Sequence, residues 1–225
     1  MKHTILLRLS GPMQSWGNVS KFESRRTWSY PSKSGVIGLV AACLGMSRED
    51  DLSELCAMRF GVRADYPGKI ERDFQILLGS KPSKNVLSER FYIADATFLA
   101  GLESENKDDL LEIETALKNP YYTPYLGRLS YPVTLPLFIG IRDKDLETVL
   151  TEEPLLTVNK KNGLKKGGKI KMLIETTAGE QKDGILNDVP VTFSHKHRMY
   201  ALRGYRMTYI DHKEEMNEHD VMGEL

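Results

Sequence analysis

The spacing of hydrophobic and polar positions along the chain predicts a protein that mixes helices and strands. Residues 4–9 form a short apolar run, which is typical of a buried strand. Residues 59–64 alternate between apolar and polar or small positions, which is the period of a half-buried strand and puts Arg59 and Arg63 on its solvent side. Further strands are predicted at 74–78, 91–99 and 137–141.

Three helices are predicted between these strands. The first begins near Ser34, carries apolar residues at helical spacing and ends at Gly45, a residue type suited to a helix C-terminus. Ser47 and Asp50 have the spacing of a capping box, which predicts a second, short helix. Residues 108–117 are amphipathic and stop before Pro120, which predicts the third.

The order of these elements predicts the fold class. Up to residue 143 it is strand, helix, strands, helix, strand, as in an α+β, ferredoxin-like (RRM-like) βαββαβ palm, which we assign to residues 1–143. Residues 144–225 begin Lys- and Gly-rich and become strand-like at 169–176, 189–193 and 199–210. This part is expected to form a small β-rich C-terminal lobe.

Composition narrows the class of protein. The 225 residues are 40% hydrophobic and 28% charged, which is usual for a globular chain. The first apolar run stops at Arg8, too early for a signal peptide or a spanning helix, so no membrane association is expected. Cys43 and Cys56 lie in apolar surroundings, as buried free thiols do, which favours a cytoplasmic location.

The formal net charge is zero, yet the charges are segregated along the chain. Residues 1–48 contain seven Lys or Arg and one acid, Glu23, whereas residues 189–210 contain four Lys or Arg and no acid. Such a chain can present a basic face to phosphate and an acidic face to solvent. The alternative, several unrelated solvated surfaces, fits the same pattern and stays open.

Few residues suggest catalysis, and no motif suggests a metal or a cofactor. The HExxH pattern, the nucleophile elbow and the Walker lysine motif are all absent from the sequence. Metal-free RNA cleavage needs a base, an acid and a cation, and His195, Lys196 and His197 with a tyrosine such as Tyr30 supply those types. An exposed basic strand explains them more simply, so we assign no catalytic residue.

Two irregular segments combine aromatic and basic residues. In the first, the aromatic residues Trp16, Phe22, Trp28 and Tyr30 are interleaved with the basic residues Lys21, Arg25, Arg26 and Lys33. The second runs from Tyr121 to Arg128 and includes Tyr125. Aromatic rings stack on single-stranded bases and cations neutralise phosphates, so both segments are candidates for RNA binding. The backbone N–H groups at the helix start near Ser34 are suited to an oxyanion.

Three stretches carry a resemblance to a known family. They are residues 11–17 (Gly-Pro-Met-Gln-Ser-Trp-Gly), residues 26–45, which contain Tyr-Pro-Ser-Lys-Ser-Gly, and residues 123–132 (Thr-Pro-Tyr-Leu-Gly-Arg-Leu-Ser-Tyr-Pro). In order and spacing they resemble the CasD subunits of type I-E CRISPR Cascade complexes, which belong to the RAMP superfamily of CRISPR RNA-binding proteins. The resemblance extends over most of residues 1–143.

The resemblance implies a non-catalytic CRISPR RNA-binding subunit of a Cascade-type antiviral surveillance complex. Such a subunit holds the 5′ repeat-derived tag of the guide RNA and caps the backbone, beside a CasC subunit and near the large CasA subunit. RNA cleavage is left to CasE, and target DNA is met only through the assembled complex. A thumb-like insertion is implied at about residues 79–107. The RNA-binding residues expected are Gln14, Trp16, Arg25, Arg26, Lys33, Ser34, Lys84, Tyr125 and Arg128.

Two other functions remain open at this point. One is a metal-independent endoribonuclease that processes CRISPR repeat RNA, with His195 and His197 as its acid and base. The other is a purely structural bridge between protein subunits, which would not depend on Lys33 or Arg128 to retain RNA.

Overall fold

A computed structural model describes residues 1–17, 24–78, 86–156, 168–194 and 196–211. The strands in it are β1 His3–Ser10, β2 Met13–Gln14, β3 Ser24–Arg25, β4 Arg59–Tyr66, β5 Lys69–Leu77, β6 Val86–Ala94, β7 Thr97–Ser104, β8 Phe138–Arg142, β9 Lys169–Glu175, β10 Gly184–Thr192 and β11 Met199–Asp211. The helices are α1 Lys33–Cys43, α2 Ser53–Ala57, α3 Lys107–Lys118 and α4 Leu146–Glu152. The predicted α+β class is therefore confirmed.

Seven strands form one antiparallel sheet in the order β10-β11-β9-β4-β7-β1-β8. The apolar run that predicted β1 is buried on both faces, because α1 and α3 cover one face of the sheet and α4 covers the other. Ile5 and Leu7 pack in the core under α1, while Leu6 packs with Leu146 of α4. A strand covered on both sides reads as a continuous apolar run.

The two longer predicted helices are confirmed. Helix α1 begins at Lys33, one residue before the expected start, and the Ser32 side chain caps it by accepting from the Gly35 N–H. Gly45 follows the helix with a positive φ of 81°, as a C-terminal glycine should. Ser47 donates from both its N–H and its hydroxyl to the Asp50 carboxylate, but these contacts close a turn, and the short helix α2 begins only at Ser53.

The prediction that Arg63 faces solvent is wrong. Its side chain is 0% exposed and forms an ion pair with Asp65, in which Arg63 Nε lies 2.6 Å from Asp65 Oδ1. Its Nη1 atom also donates to the backbone oxygens of Leu150 and Glu153 at the end of α4. The alternation along β4 predicts one buried face and one solvent-exposed face, but α4 buries the second face as well.

The predicted insertion, at about residues 79–107, does not coincide with the segment that leaves the seven-stranded sheet. Strands β5 and β6 form a hairpin, which joins β2 and β3 in a second, four-stranded sheet. Strand β7, expected within the insertion, instead lies in the centre of the seven-stranded sheet between β1 and β4. Residues 79–85, with the predicted RNA-binding residue Lys84, lie outside the described residues.

The described strands of the C-terminal third belong to the same seven-stranded sheet as β1 and β4, and the boundary of a C-terminal lobe at residue 144 stays a prediction. Strand β9 pairs with β4 at Gly61–Arg63, and β11 and β10 extend the sheet beyond it. An unpaired β4 would leave open backbone groups at a sheet edge, and β9 satisfies them. In the part of the chain that the structure describes, no helix is long and apolar enough to cross a membrane.

Candidate nucleic-acid interface

A groove of about 970 Å³ lies beside α1 and is bounded by parts of the chain that are distant in sequence. Its described lining contains five arginines, here called the groove arginines: Arg25, Arg26, Arg48, Arg128 and Arg198. Three tyrosines also line it, Tyr122, Tyr125 and Tyr200, and none of the described lining residues is acidic. The floor is formed by small and apolar residues of α1, including Gly38 and Ala42.

The segment Gln14–Trp16 is the support on which the groove is built. The Gln14 side-chain nitrogen donates to the backbone oxygens of Leu9 (3.1 Å) and Ala96 (2.7 Å). Its side-chain oxygen accepts from the Trp16 indole Nε1, 3.1 Å away. Both side chains are buried, and all the polar groups of this pair are satisfied inside the protein.

This segment also holds two walls of the groove by backbone hydrogen bonds. The Ser15 N–H donates to the Leu126 oxygen, and the Trp28 N–H donates to the Trp16 oxygen, both at 3.0 Å. Gly127 has a φ of 86°, and a Cβ atom there would lie 1.6 Å from the Ser15 oxygen. A glycine is therefore required at 127 for the second aromatic and basic segment to reach the first.

The guanidinium group of Arg128 is held by several contacts within the protein. Its Nη1 donates to the Tyr131 hydroxyl at 2.8 Å, and its Nη2 donates to the backbone oxygens of Phe91 (3.1 Å) and Arg25 (3.4 Å). The guanidinium carbon lies 5.3 Å from the centre of the Tyr131 ring. These contacts fix the cation where the hairpin, β3 and the 121–132 segment meet.

Three of the predicted RNA-binding side chains lie in the interior instead of the groove. Gln14 and Trp16 are buried beneath it, and Lys33 is 2% exposed with its Nζ atom 2.9 Å from a Glu175 carboxylate oxygen. None of the three belongs to the groove lining. Their burial places them behind the groove surface, and their contact with RNA stays a prediction. The burial of Lys33 has no local sequence signal, because its partner Glu175 lies 142 positions away along the chain.

The start of α1 differs from the oxyanion site that its sequence suggested. The Lys33 N–H donates to a carboxylate oxygen of Asp188 at 2.8 Å, and the Gly35 N–H donates to Ser32 Oγ at 3.2 Å. An internal acid and a cap thus occupy two of the donors at this helix start, those of Lys33 and Gly35. Ser34 does line the groove, as do the predicted residues Arg25, Arg26, Tyr125 and Arg128.

The sequence prediction missed the contribution of the C-terminal third. The groove is also lined by Tyr200 of β11 and by Phe193 and Arg198 of the connection between β10 and β11. Arg48, which follows α1, lines it as well. The acid-free composition of residues 189–210 was the available signal. Only the long-range pairing of β9 with β4 brings this stretch to the groove, and such pairing has no local pattern.

Of the residues considered for RNA cleavage, those that the structure describes do not line the groove. His195 lies outside the described residues, and Tyr30 and His197 do not belong to the described groove lining. Tyr30 packs 6.0 Å from the Phe98 ring centre, with the Lys171 amine 5.2 Å from its own centre. Burial, and then the nearby Tyr209, raises the pKa of Tyr30 above its ordinary value, which disfavours a role as a base. Among the described residues, no group of His, Cys, Asp and Glu could hold a metal ion.

Comparisons with known proteins show which protein family the chain resembles. The profile of the family described as CRISPR-associated protein (Cas_Cas5) matches residues 4–206. The CRISPR system Cascade subunit CasD of Escherichia coli (strain K12) is 37% identical over 161 residues, which cover 62% of this chain and 71% of that protein.

Solved structures of CRISPR-related proteins match a larger part of the chain. A structure titled CRISPR RNA-guided surveillance complex aligns with a TM-score of 0.77 and 34% identity, covering 92% of this chain and 90% of the other. A structure titled Crystal structure of Cas protein aligns with a TM-score of 0.72 and 36% identity, covering 92% and 95%. The resemblance inferred from the sequence motifs is confirmed, and the chain belongs to the Cas5 family of CRISPR-associated proteins.

Proposed function

We propose that this chain is a CRISPR RNA-binding subunit of a Cascade-type antiviral surveillance complex, and that its groove holds the 5′ repeat-derived tag of the guide RNA. The observation that carries this proposal is the composition of the groove: five arginines and three tyrosines, with no acid among its described lining residues. Arginines neutralise and hydrogen-bond phosphates, and tyrosine rings stack on unpaired bases. Similarity to a Cascade subunit and to a chain of a surveillance complex supports the same function.

The groove suits a single strand better than a duplex. Its lining includes small residues of α1, such as Gly38 and Ala42, which let a base approach the helix closely, together with the groove arginines. A-form duplexes are bound mainly by shape, across their wide and shallow minor groove, whereas single strands expose bases for stacking. A tag held by its backbone and a few stacked bases fits this geometry.

The part of the sheet under the groove is best interpreted as a ferredoxin-like palm. Strands β4, β7, β1 and β8 are neighbours in that order, with α1 between β1 and β4 in sequence and α3 between β7 and β8. This is the connectivity of a βαββαβ unit. The hairpin of β5 and β6 is then the insertion that corresponds to a thumb, and β9–β11 are an extension of the palm.

We further propose that the subunit is not an enzyme. General acid–base chemistry on RNA needs a titratable side chain beside the reacting phosphate. The lining residues that the structure describes include arginines and tyrosines that can hold RNA, and no His, Asp, Glu or Lys is among them. Cleavage of the repeat is then the task of another subunit.

The partners proposed are those of the family. The subunit would pack against a CasC backbone subunit and lie near the large CasA subunit, meet target DNA only through the assembled complex, and work in the cytoplasm. The hairpin offers an exposed apolar stripe, Phe74, Ile76 and Leu87, and this is more apolar surface than an isolated hairpin normally leaves to solvent.

The experiment that tests this function is a titration of end-labelled repeat RNA carrying the 5′ tag with the purified chain in EDTA, read on native and denaturing gels. The expected result is a shifted but intact RNA, with binding weakened by Arg128→Ala. Arg72→Ala is the matched control, because Arg72 lies on the hairpin outside the groove and pairs with Glu89. Discrete cleavage products, or equal binding by both variants, would contradict the proposal.

A further inference from the structure

Beneath the groove lies a buried ionic network that ties α1 to all three C-terminal strands. The Nζ atom of Lys33 is within 3.0 Å of both carboxylate oxygens of Glu175 on β9, and it also donates to the Cys56 backbone oxygen at 2.8 Å. The backbone N–H of the same lysine donates to Asp188 on β10. Asp188 in turn accepts from Nε and Nη2 of Arg203 on β11, at 2.6 and 2.9 Å.

This network stands between two walls of the groove. Ser32 and Ser34, on either side of Lys33, both line the groove. The strands held by the network lead to the opposite wall, since Phe193 follows β10 and Tyr200 belongs to β11. The walls are close, because a Cβ atom at Gly38 would lie 3.4 Å from the Phe193 ring.

The energetics of the network suggest that it orients the groups it joins more than it stabilises the fold. Removing two charges from water costs about as much as their attraction returns, so a buried ion pair adds little net stability compared with apolar residues of similar size. Arg203 also keeps one nitrogen, Nη1, buried without a hydrogen-bond partner among the described residues, which is a further cost. What a charged pair provides, and an apolar contact does not, is a fixed direction between the groups it joins.

We propose that Lys33, Glu175, Asp188 and Arg203 are positioning residues, which hold the C-terminal wall of the groove at the distance from α1 that binds RNA. They never touch the RNA themselves. This inference rests on the proposed function, and it assigns to the Lys-Ser-Gly start of α1 a role other than phosphate contact. Without the network the wall samples open positions, and the observed affinity falls in proportion to the fraction of molecules that remain closed.

The test compares the double variant Lys33→Met with Glu175→Gln against the same substitutions on the exposed pair Lys144 and Glu152. Glutamine keeps an oxygen for the Phe60 N–H, which Glu175 accepts at 2.8 Å. The affinity for tag RNA is measured across a salt series, and folding is checked by cooperative unfolding in urea. We expect affinity about tenfold lower, as when the closed fraction falls to about one tenth, and an unchanged salt slope; the control pair changes neither.

The salt slope separates positioning from contact. A residue that neutralises a phosphate of single-stranded RNA contributes about 0.7 to the slope of log affinity against log salt, and a positioning residue contributes nothing. A slope reduced by that amount, or a folded double variant with full affinity, would overturn the inference. Asp188→Asn is a second test, because it keeps an oxygen for the Lys33 N–H while removing the charge that holds Arg203. If the unmodified chain fails to bind tag RNA at all, it is the proposed function that fails.

Discussion

The interior and the groove use the same basic residue types in opposite ways. The interior basic residues, Lys33, Arg63 and Arg203, are each paired with a carboxylate, that of Glu175, Asp65 or Asp188. Around the groove, no described lining residue is acidic. A buried cation beside a carboxylate is neutralised and stabilises the fold, whereas a groove lined by five arginines and by no described acid has a positive potential that attracts a polyanion. The location of the acids therefore distinguishes the two regions.

The largest effect is expected from breaking an interior pair. Asp65→Ala leaves Arg63 charged, fully buried and without its carboxylate, and it also removes the acceptor of the Leu156 N–H. Removal of one partner of a buried pair costs about 3–5 kcal/mol. Urea unfolding of the variant should show a loss of this size in the free energy of unfolding. A loss below about 1 kcal/mol would indicate that the pair behaves as an exposed one, and the contrast with the groove would fail.

The next effect should appear in RNA binding with little change in folding. Arg25 and Arg198 line the groove with exposed side chains, so the double variant Arg25→Ala with Arg198→Ala removes two cations and hardly any packing. Charge-assisted hydrogen bonds contribute roughly 1.5–3 kcal/mol each. We expect about 3 kcal/mol or more of lost binding free energy at that value, measured by fluorescence anisotropy of labelled tag RNA. Unfolding in urea provides the control and should match that of the unmodified chain.

A smaller effect is expected at an aromatic ring of the groove. Tyr200 is exposed on β11 and lines the groove, so Tyr200→Ala should cost about 1–3 kcal/mol of binding if a base stacks on it. Tyr200→Phe keeps the ring and should bind as the unmodified chain does. The salt dependence should be the same in all three proteins, because no charge is changed. Loss of binding in Tyr200→Phe as well would assign the effect to the hydroxyl instead of stacking.

The smallest effect is expected at an exposed ion pair. Arg72 and Glu89 pair on the hairpin with side chains 58% and 31% exposed. Arg72→Ala should lower the free energy of unfolding by no more than about 1 kcal/mol, the usual limit for surface pairs. RNA affinity should be unchanged. A large loss of affinity here would extend the RNA-binding surface onto the hairpin and remove the sharp boundary of the groove.

The sequence predicted the parts of the fold that depend on local patterns. The buried run of β1, the start of α1 near Ser34 and the amphipathic α3 are all found close to their expected positions. The limits of the thumb-like insertion and of the C-terminal lobe stay predictions, because they depend on strand pairing, which has no local pattern. Nothing in the local pattern of residues 97–104 distinguishes a strand of the hairpin from one in the centre of the seven-stranded sheet.

The candidate site shows the same division. Arg25, Arg26 and Arg128 were predicted from their aromatic and basic surroundings and do line the groove. Lys33 stands in the same surroundings but is buried, because its acid partner Glu175 lies 142 positions away. Arg198 was visible only as one basic residue in an acid-free stretch. Whether a cation faces the groove or the interior depends on partners that only the folded chain brings together.

The central claim is that the groove binds single-stranded RNA through its arginines, and the most direct test is the salt dependence of tag RNA binding to the unmodified chain. Each phosphate contact contributes about 0.7 to the slope, so engagement of three to five of the groove arginines predicts a slope of roughly −2 to −3.5. The variant lacking Arg25 and Arg198 should be less steep by about 1.4. A slope near zero, or the same slope in both proteins, would contradict the account.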